Sequence, residues 1–110
     1  MQKTINVDGK KIVLKTNGLV PLIYKKEFKR DFFADIHALN TQETDIEILY
    51  NLAWVYARAA DEEILPLYEW LESFESFPIM LYRKTILELT VACISVSGSN
   101  QKKTRTAKQG

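Results

Sequence analysis

The sequence predicts a mainly helical α+β fold, in which an N-terminal β-hairpin packs on a small bundle of about five helices. Three features support this prediction. Apolar and polar residues alternate on both sides of Asp8-Gly9, a pair that favours a tight hairpin turn. Apolar residues at helical spacing dominate Asp45–Ala60. Residues 97–110 hold four positive charges and no large apolar side chain, so we expect one domain over residues 1–96 and a flexible, disordered basic tail after it.

The hairpin is predicted over Lys3–Lys15. Ile5 and Val7 before the turn, with Ile12 and Leu14 after it, form one apolar face. Two strands alone are barely stable in water. We therefore expect this face to lie on the helices.

Two short helices are predicted next. The first covers Leu19–Phe28, with Pro21 tolerated in its first turn, and the second covers Phe32–Leu39 behind a capping Asp31. The side chains expected to face inward are Leu19, Leu22, Ile23 and the stem of Lys26 in the first, and Phe32, Phe33, Ile36 and Leu39 in the second. His37 has no cysteine or second histidine near it, so we expect no metal site there.

Asp45–Ala60 is predicted to be the central helix, because its polar side is only a narrow line of Glu47, Asn51 and Arg58. Its two apolar rows are Ile46, Leu49, Ala53, Tyr56, Ala57 and Ala60, and Ile48, Leu52, Val55 and Ala59. Other elements must surround such a helix. The alanines near its C-terminal end should let another helix come close. Thr44 and Glu47 have the spacing of a capping box.

Two more helices complete the predicted bundle. One covers Leu65–Phe74 with Pro66 near its start, and the other begins after a capping Ser76 with Pro78 in its first turn. Their apolar positions are Leu67, Trp70, Leu71 and Phe74 in the first, and Ile79, Tyr82, Ile86, Leu89 and Cys93 in the second. We expect the two long helices to lie side by side and antiparallel. The single cysteine, Cys93, should be a buried inert thiol.

Charge is segregated along the chain although the net charge is only +1. Residues 1–30 hold eight Lys or Arg and two acidic residues, whereas residues 31–75 hold eleven acidic residues and one basic one. Such segregation suits self-association or an elongated charged partner, and two solvated faces would explain it as well. Residues 1–96 carry more acidic than basic groups, so nucleic acid is not an expected partner.

The sequence carries no signature of catalysis, cofactor binding or metal binding. It lacks a glycine-rich phosphate loop, a Cys/His cluster and a second histidine for a catalytic triad. The acidic run Asp61-Glu62-Glu63 is expected to be a solvated helix end. No apolar run approaches the ~20 residues of a membrane span, and the N-terminal residues lack a signal peptide pattern. With one cysteine, these features predict a cytoplasmic protein that is not an enzyme.

The order of these segments resembles a known family. The segments are TINVDGKKIVLKTNG, YKKEFKRDFFADI, LYNLAWVYARAAD and LPLYEWLESFESF, followed by an amphipathic final helix. Over roughly residues 4–94 this pattern resembles the tail assembly chaperones of long-tailed (siphovirus-type) bacteriophages and prophages of Gram-positive bacteria. The motifs are aromatic and small residues at typical places. In that family the protein coats the long, largely helical tape measure protein before the tail tube polymerises, and then gives way to tube subunits.

The resemblance implies a binding function in the host cytoplasm, without enzyme activity or cofactor. The implied partners are the tape measure protein, the major tail protein as a second partner, and further copies of the chain. Two alternatives stay open at this point. One is a structural component of the virion, such as a tail-completion or head–tail connector protein, and the other is a small DNA-binding regulator.

Five aromatic residues are candidates for partner binding. They are Trp54, Tyr68, Trp70, Phe74 and Phe77. Trp54 lies on the polar line of the central helix, so either a short helix covers it, the arrangement we favour, or a partner does. The other four occupy ten residues beside three glutamates, a composition typical of a helix-binding surface. Each aromatic residue taken singly is more often part of a core, so the hypothesis concerns the cluster.

The resemblance also implies a second, longer product. Many family members are made in two lengths by ribosomal frameshifting near the end of the short frame. Gln101-Lys102-Lys103 can be encoded as CAA-AAA-AAG, which contains a slippery heptamer. The alternative is a solvated terminus that happens to be rich in lysine.

Overall fold

The structure is a computed structural model that describes residues 1–41 and 45–95. Its elements are β1 (Gln2–Val7), β2 (Lys10–Lys15), α1 (Val20–Phe28), α2 (Phe32–Thr41), α3 (Ile46–Ala60), α4 (Leu67–Glu72), a 3-10 turn (Ile79–Tyr82) and α5 (Arg83–Ile94). The predicted fold class is confirmed, since an antiparallel hairpin precedes five helical elements of the α type. The predicted basic tail and its frameshift site lie outside the described residues.

The hairpin has the predicted turn and register. Asp8 and Gly9 have φ angles of 55° and 78°, the left-handed backbone of a two-residue type I′ turn. The strands pair antiparallel with Ile5 opposite Ile12, and β2 lies along α3 while β1 contacts α5. The side chains that face the helices are the predicted ones, namely Ile5, Val7, Ile12 and Leu14.

Helix α3 is the centre of the fold, as predicted, because the hairpin, α1 and α5 all pack around it. Nine of its residues between Ile48 and Ala57 are buried. Asp45 is its N-cap, since the Asp45 carboxylate accepts a hydrogen bond from the Ile48 N–H at 3.3 Å. The predicted cap Thr44 lies outside the described residues, and the helix begins one residue after Asp45.

Two expectations for α3 are wrong. Ile46 is half exposed, because it occupies the first turn and extends beyond the elements that cover the helix. Asn51 is buried, because Tyr24 of α1 places its hydroxyl 3.5 Å from the Asn51 amide. Ala57 and Ala60, which were expected to let another helix come close, line a cavity shared with β2 and with Trp70 of α4.

Helix α1 is rotated relative to the prediction. Its buried residues are Val20 and Tyr24, whereas Leu22 is 67% exposed and Leu19 lies at the N-cap in solvent. The wide ring of Tyr24, whose hydroxyl has polar partners inside the protein, determines which side of the helix faces α3. Lys26, predicted to turn its stem inward, is exposed for the same reason.

Helix α2 follows the prediction with two exceptions, the exposure of Phe33 and a longer C-terminal end. Asp31 caps it, since the Asp31 carboxylate accepts the Ala34 N–H at 2.9 Å. Phe32 and Ile36 are buried, but Phe33 is more than half exposed. Phe33 is one residue from Phe32 and is therefore turned by about 100° around the helix axis. The helix also extends through residue 41, into what was predicted as a loop from Asn40.

The C-terminal third is less regular than predicted. Helix α4 begins after Pro66 and ends before Ser73, so it is shorter than the predicted helix. Pro78 precedes the 3-10 turn and no side chain caps it, so the predicted Ser76 cap is wrong. The predicted contact between the long helices is present, because the Tyr56 and Thr90 hydroxyls lie 2.6 Å apart. Burial raises the pKa of the half-buried Cys93 thiol.

Candidate partner-binding groove

The five aromatic residues predicted to bind a partner occupy two different environments. Trp54, Trp70, Phe74 and Phe77 lie in the core, and none of them is more than 9% exposed. Tyr68 is 77% exposed. A ring that is buried in the folded chain cannot touch a partner directly. Of the five, Tyr68 is therefore the residue placed to make such a contact.

Trp54 is covered within the chain, as expected. Its Nε1–H donates a hydrogen bond to the Leu65 carbonyl oxygen at 2.8 Å. Its ring packs edge-on against Phe28 of α1, with the ring centroids 5.5 Å apart. Trp54 thus joins three parts of the fold, because it lies on α3 and holds both α1 and the loop before α4.

The other buried aromatic residues form one cluster. Trp70, Phe74 and Phe77 contact one another with centroid separations of 5.2–5.5 Å, and Phe77 also meets Tyr82 at 5.7 Å. The Tyr50 hydroxyl donates to the Phe77 carbonyl at 3.0 Å. The aromatic residues that are concentrated in this part of the sequence therefore belong to the core, and they attach residues 67–82 to α3.

This cluster is also tied to the hairpin. The Glu75 N–H donates to the Asp8 carboxylate at 3.0 Å, and the Tyr82 hydroxyl donates to the Asn6 carbonyl at 2.6 Å. Lys10 donates to the Ser73 carbonyl at 3.1 Å, with its Nζ lying 5.1 Å from the centre of the Phe74 ring. One face of α4 and the segment after it are thus held by contacts with both the hairpin and α3.

The opposite face of α4 borders a surface groove, which we call the α3–α4 groove. It consists of two adjacent cavities of about 350 and 320 Å³ that share Glu47, Asn51, Leu67 and Tyr68. The first two turns of α3 form one wall and α4 the other, and the end of α1 closes one side. The remaining lining residues are Glu27, Phe28, Arg30, Ile46, Tyr50, Pro66, Glu69 and Leu71.

The α3–α4 groove combines an apolar floor with an acidic rim. Leu67, Leu71 and Phe28 are half-buried in the floor, and Tyr68 and Ile46 expose apolar surface at its edge. The rim carries three exposed carboxylates, those of Glu27, Glu47 and Glu69. An exposed aromatic residue over a concave apolar surface with charges around it is typical of a protein-binding site.

Arg30, the cation in the groove lining, is already neutralised. Its Nε and Nη2 donate to the two carboxylate oxygens of Asp35 at 2.7 and 2.9 Å. This is the bidentate geometry that holds an arginine most firmly to a carboxylate. The net charge presented by the groove is therefore negative.

A polar network lies behind two of the groove residues, Asn51 and Arg30. The Tyr24 hydroxyl donates to Asp35 at 2.6 Å, and the Asn51 amide lies 3.5 Å from the same hydroxyl. Burial, followed by the hydrogen bond to Asp35, raises the pKa of Tyr24. Burial opposes ionisation of Asp35 as well, but the bonds from Arg30 and Tyr24 outweigh it and hold the pKa of Asp35 below its usual range. The network joins α1, α2 and α3, and so fixes the groove's shape.

Asn51 was not predictable as a groove residue. The sequence pattern puts it on the polar line of α3, but it is buried and lines the groove from behind. An asparagine in a helix that is otherwise apolar over most of its surface is a usable signal, because a buried amide requires hydrogen-bond partners. The partner Tyr24, however, lies 27 residues away in the sequence.

The described residues show neither a candidate metal site nor a helix that could cross a membrane. Within residues 1–41 and 45–95, no three or more His, Cys, Asp or Glu side chains are grouped so that they could hold a metal ion. His37, the single histidine of the chain, is exposed on α2 and is not among the groove residues. Among the helices described, none has both the length and the apolar character needed to cross a membrane.

Comparisons of the chain with known protein families, with curated proteins and with solved structures found no match in any of the three. What the chain binds must therefore be inferred from the groove itself and from the pattern of its segments.

Proposed function

We propose that the chain is a tail assembly chaperone of a siphovirus-type phage or prophage, which binds the tape measure protein and keeps it soluble. The observation that carries this proposal is the exposed Tyr68 ring above the apolar, acid-rimmed α3–α4 groove. The order of segments over residues 4–94, which resembles this chaperone family, supports it independently.

The groove has the chemistry needed for an amphipathic helix. A helix is about 10–12 Å across and presents apolar residues three and four positions apart along one side. The two cavities lie on either side of the shared residues Leu67 and Tyr68, so successive apolar side chains of such a helix can enter one cavity each. Tape measure proteins are long and largely helical in the family that the sequence resembles.

The acidic rim selects among amphipathic helices. Glu27, Glu47 and Glu69 favour basic residues beside the apolar stripe of the partner. Because these carboxylates are exposed, their contribution should lie mainly in the association rate and should weaken with salt. The apolar contacts made by Tyr68 and Leu67 should supply most of the affinity.

In this proposal the protein acts in the host cytoplasm without catalysis or a cofactor. Many copies coat one tape measure chain, so the copies also contact one another, and the major tail protein later displaces them. The opposed charges of residues 1–30 and 31–75 support contacts between copies. Sedimentation at high protein concentration and low salt should show species larger than the monomer.

Co-expression tests the proposal. The tape measure protein encoded beside this chain should be largely insoluble alone and soluble when the chain is present. Tyr68→Ser should reduce the soluble fraction, whereas Leu22→Ser should leave it unchanged, because Leu22 is comparably exposed but does not line the groove. Equal recovery of soluble tape measure protein with and without the chain would refute the proposal.

Two measurements separate this function from the alternatives. A chaperone should be missing from finished virions, whereas a tail-completion or connector protein should be detected in them by mass spectrometry. A DNA-binding regulator should retard a DNA duplex in a gel at physiological salt. We expect no retardation, because acidic side chains outnumber basic ones over residues 1–96.

A further inference from the structure

The two outer edges of the hairpin differ in how far other elements of the fold cover them. In a hairpin with a two-residue turn, Val7 and Lys10 exchange both backbone hydrogen bonds, and the bonded pairs then alternate along the strands. The backbone groups of Gln2, Thr4 and Asn6 therefore point out of β1. Those of Lys11, Val13 and Lys15 point out of β2 in the same way.

The β1 edge is covered. The Tyr82 hydroxyl donates to the outward carbonyl of Asn6 at 2.6 Å, and Lys3 of β1 lies 3.4 Å from Glu88 of α5 in an ion pair. Helix α5 packs beside this strand. The outward carbonyl of Asn6 is therefore already bonded, and the Lys3 side chain is held toward α5.

The β2 edge is open. Within the described part of the chain, no backbone or side-chain group bonds the outward N–H or C=O of Lys11, Val13 or Lys15. A cavity of about 510 Å³ lies along this strand, between β2, the C-terminal end of α3 and the C-terminal end of α4. Ala57 and Ala60 line it, so small side chains keep space free beside the open edge.

We propose that the β2 edge binds an extended, acidic segment of a partner protein as a third strand. The pairing would satisfy the free backbone groups of β2, and the alternate side chains of the segment would enter the cavity over Ala57 and Ala60. The inference does not depend on the α3–α4 groove or on the proposed chaperone function.

The side chains of β2 specify the chemistry of the segment. Lys11 and Lys15 flank Val13 on the outward face, and directly opposed side chains on paired strands interact. The segment that fits best therefore carries an apolar or β-branched residue opposite Val13 and an acidic residue two positions away on each side. Asp61 also lines the cavity, but Lys10 and Lys11 there outweigh its charge.

Lys11 and Lys15 disfavour two other occupants of the β2 edge. If a second copy paired through β2, its strand would place Lys15 opposite Lys11 in the antiparallel arrangement, and like charges opposed across strands destabilise the pair. Residues 97–110 of the chain carry four positive charges and no acidic residue, so they would be repelled as well. An acidic segment of another protein avoids both penalties.

The test uses fluorescence anisotropy with a labelled peptide of about nine residues, in which a central valine has glutamate two positions away on each side and threonine elsewhere. The intact chain should bind it saturably. A matched peptide with lysine in place of glutamate should bind about ten-fold more weakly. Equal binding of the two peptides would overturn the proposal.

Two variants locate the binding to the strand edge. Val13→Pro removes an outward N–H while leaving the bonds between β1 and β2 intact, and should weaken binding about ten-fold. Val13→Thr is its matched control and should bind normally. If Val13→Pro fails to fold, the double variant Lys11→Glu, Lys15→Glu decides instead, since it should reverse the preference between the two peptides. If the double variant still prefers the glutamate peptide, the result contradicts the proposal.

Amide hydrogen exchange adds a direct readout. The Lys11, Val13 and Lys15 amides should exchange rapidly in the free chain and become protected when the glutamate peptide binds. The Ile12 amide, which is already bonded to β1, should change little. Tyr68→Ser should bind this peptide like the parent, so failure of this inference and failure of the proposed function can be told apart. Protection confined to α3 and α4 would mean that the peptide occupies the other groove.

Discussion

The two faces of α4 show how one aromatic-rich stretch serves two purposes. Trp70 faces inward and meets Phe74 and Phe77, whereas Tyr68, two residues earlier, is 77% exposed above the α3–α4 groove. Two residues correspond to about 200° around a helix, so the rings point to opposite sides. A high density of aromatic residues in a sequence therefore indicates a packed element, and the helical phase decides which ring remains for a partner.

The buried face should carry the stability of the segment and the exposed face its binding. The segment that carries the buried rings is bonded to the hairpin by the Glu75 N–H and the Tyr82 hydroxyl, and to α3 by the Tyr50 hydroxyl. Tyr68 is 77% exposed, and the hydrogen bonds and ring contacts of the described residues do not include its ring.

Trp70→Ala should cost about 3–5 kcal/mol in the free energy of unfolding, because it removes the ring shared by Phe74 and Phe77 and leaves a cavity. Urea denaturation measures this loss. Tyr68→Ala on the same helix is the matched control and should change the free energy by less than about 0.5 kcal/mol. Similar losses for the two variants would show that the faces of α4 are not distinct.

Asp35→Asn should cost about 2 kcal/mol at neutral pH, because it removes the charged acceptor of Tyr24 and Arg30 behind the groove. Exposure of the Arg30 side chain, which is 42%, keeps this value below that of a fully buried ion pair. Thermal or urea unfolding near pH 7 measures the difference. A loss as large as that of Trp70→Ala would place the network, rather than the aromatic cluster, at the centre of stability.

The lowered pKa of Asp35 predicts that the stability of the fold depends on pH. The pKa of Asp35 is lower in the folded chain than the usual unfolded value of about 3.9. Its contribution is therefore complete above that value and is lost as the pH falls through the folded pKa. The parent should lose stability below about pH 4 more steeply than Asp35→Asn, and parallel curves would contradict the assignment.

Much of the fold could be predicted from the sequence because the signals are local. The Asp8-Gly9 turn, the cap at Asp31 and the apolar surface of α3 each depend on residues close in sequence. The pairing of the two long helices was also predicted, but specific side-chain contacts between distant residues were not predictable in this way. The rotation of α1 follows from the position of Tyr24 against Asp35 and Asn51, and no periodicity in α1 reveals that meeting.

The candidate site was predictable only in part. The sequence marked Tyr68 together with three neighbours that proved to be core, although the predicted apolar line of this helix already placed Trp70 and Phe74 inward and left Tyr68 off it. Phe77 lies beyond α4, which ends at Glu72, so no helical period could assign it. Ile46 was predicted to be inward, and its exposure beside the groove could not be foreseen without knowing where the covering elements stop.

Tyr56→Phe should have a smaller effect, about 1 kcal/mol. The Thr90 hydroxyl donates to the Ile86 carbonyl at 2.9 Å, so it accepts its second bond from Tyr56, and the substitution removes that buried donor between α3 and α5. Urea denaturation gives the value. Since both residues lie outside the groove lining, binding of the tape measure protein should be unchanged, and a loss of binding would show that α5 shapes the groove.

Photo-crosslinking from the exposed face of α4 shows whether the α3–α4 groove contacts the tape measure protein at Tyr68. A photoreactive phenylalanine analogue in place of Tyr68 should crosslink to the tape measure protein during co-expression, with little change in the stability of the chain. The same analogue in place of Leu22, a comparably exposed position outside the groove, should give little or no crosslinked product. Crosslinking from position 22 but not from position 68 would contradict the assignment of the α3–α4 groove as the binding site.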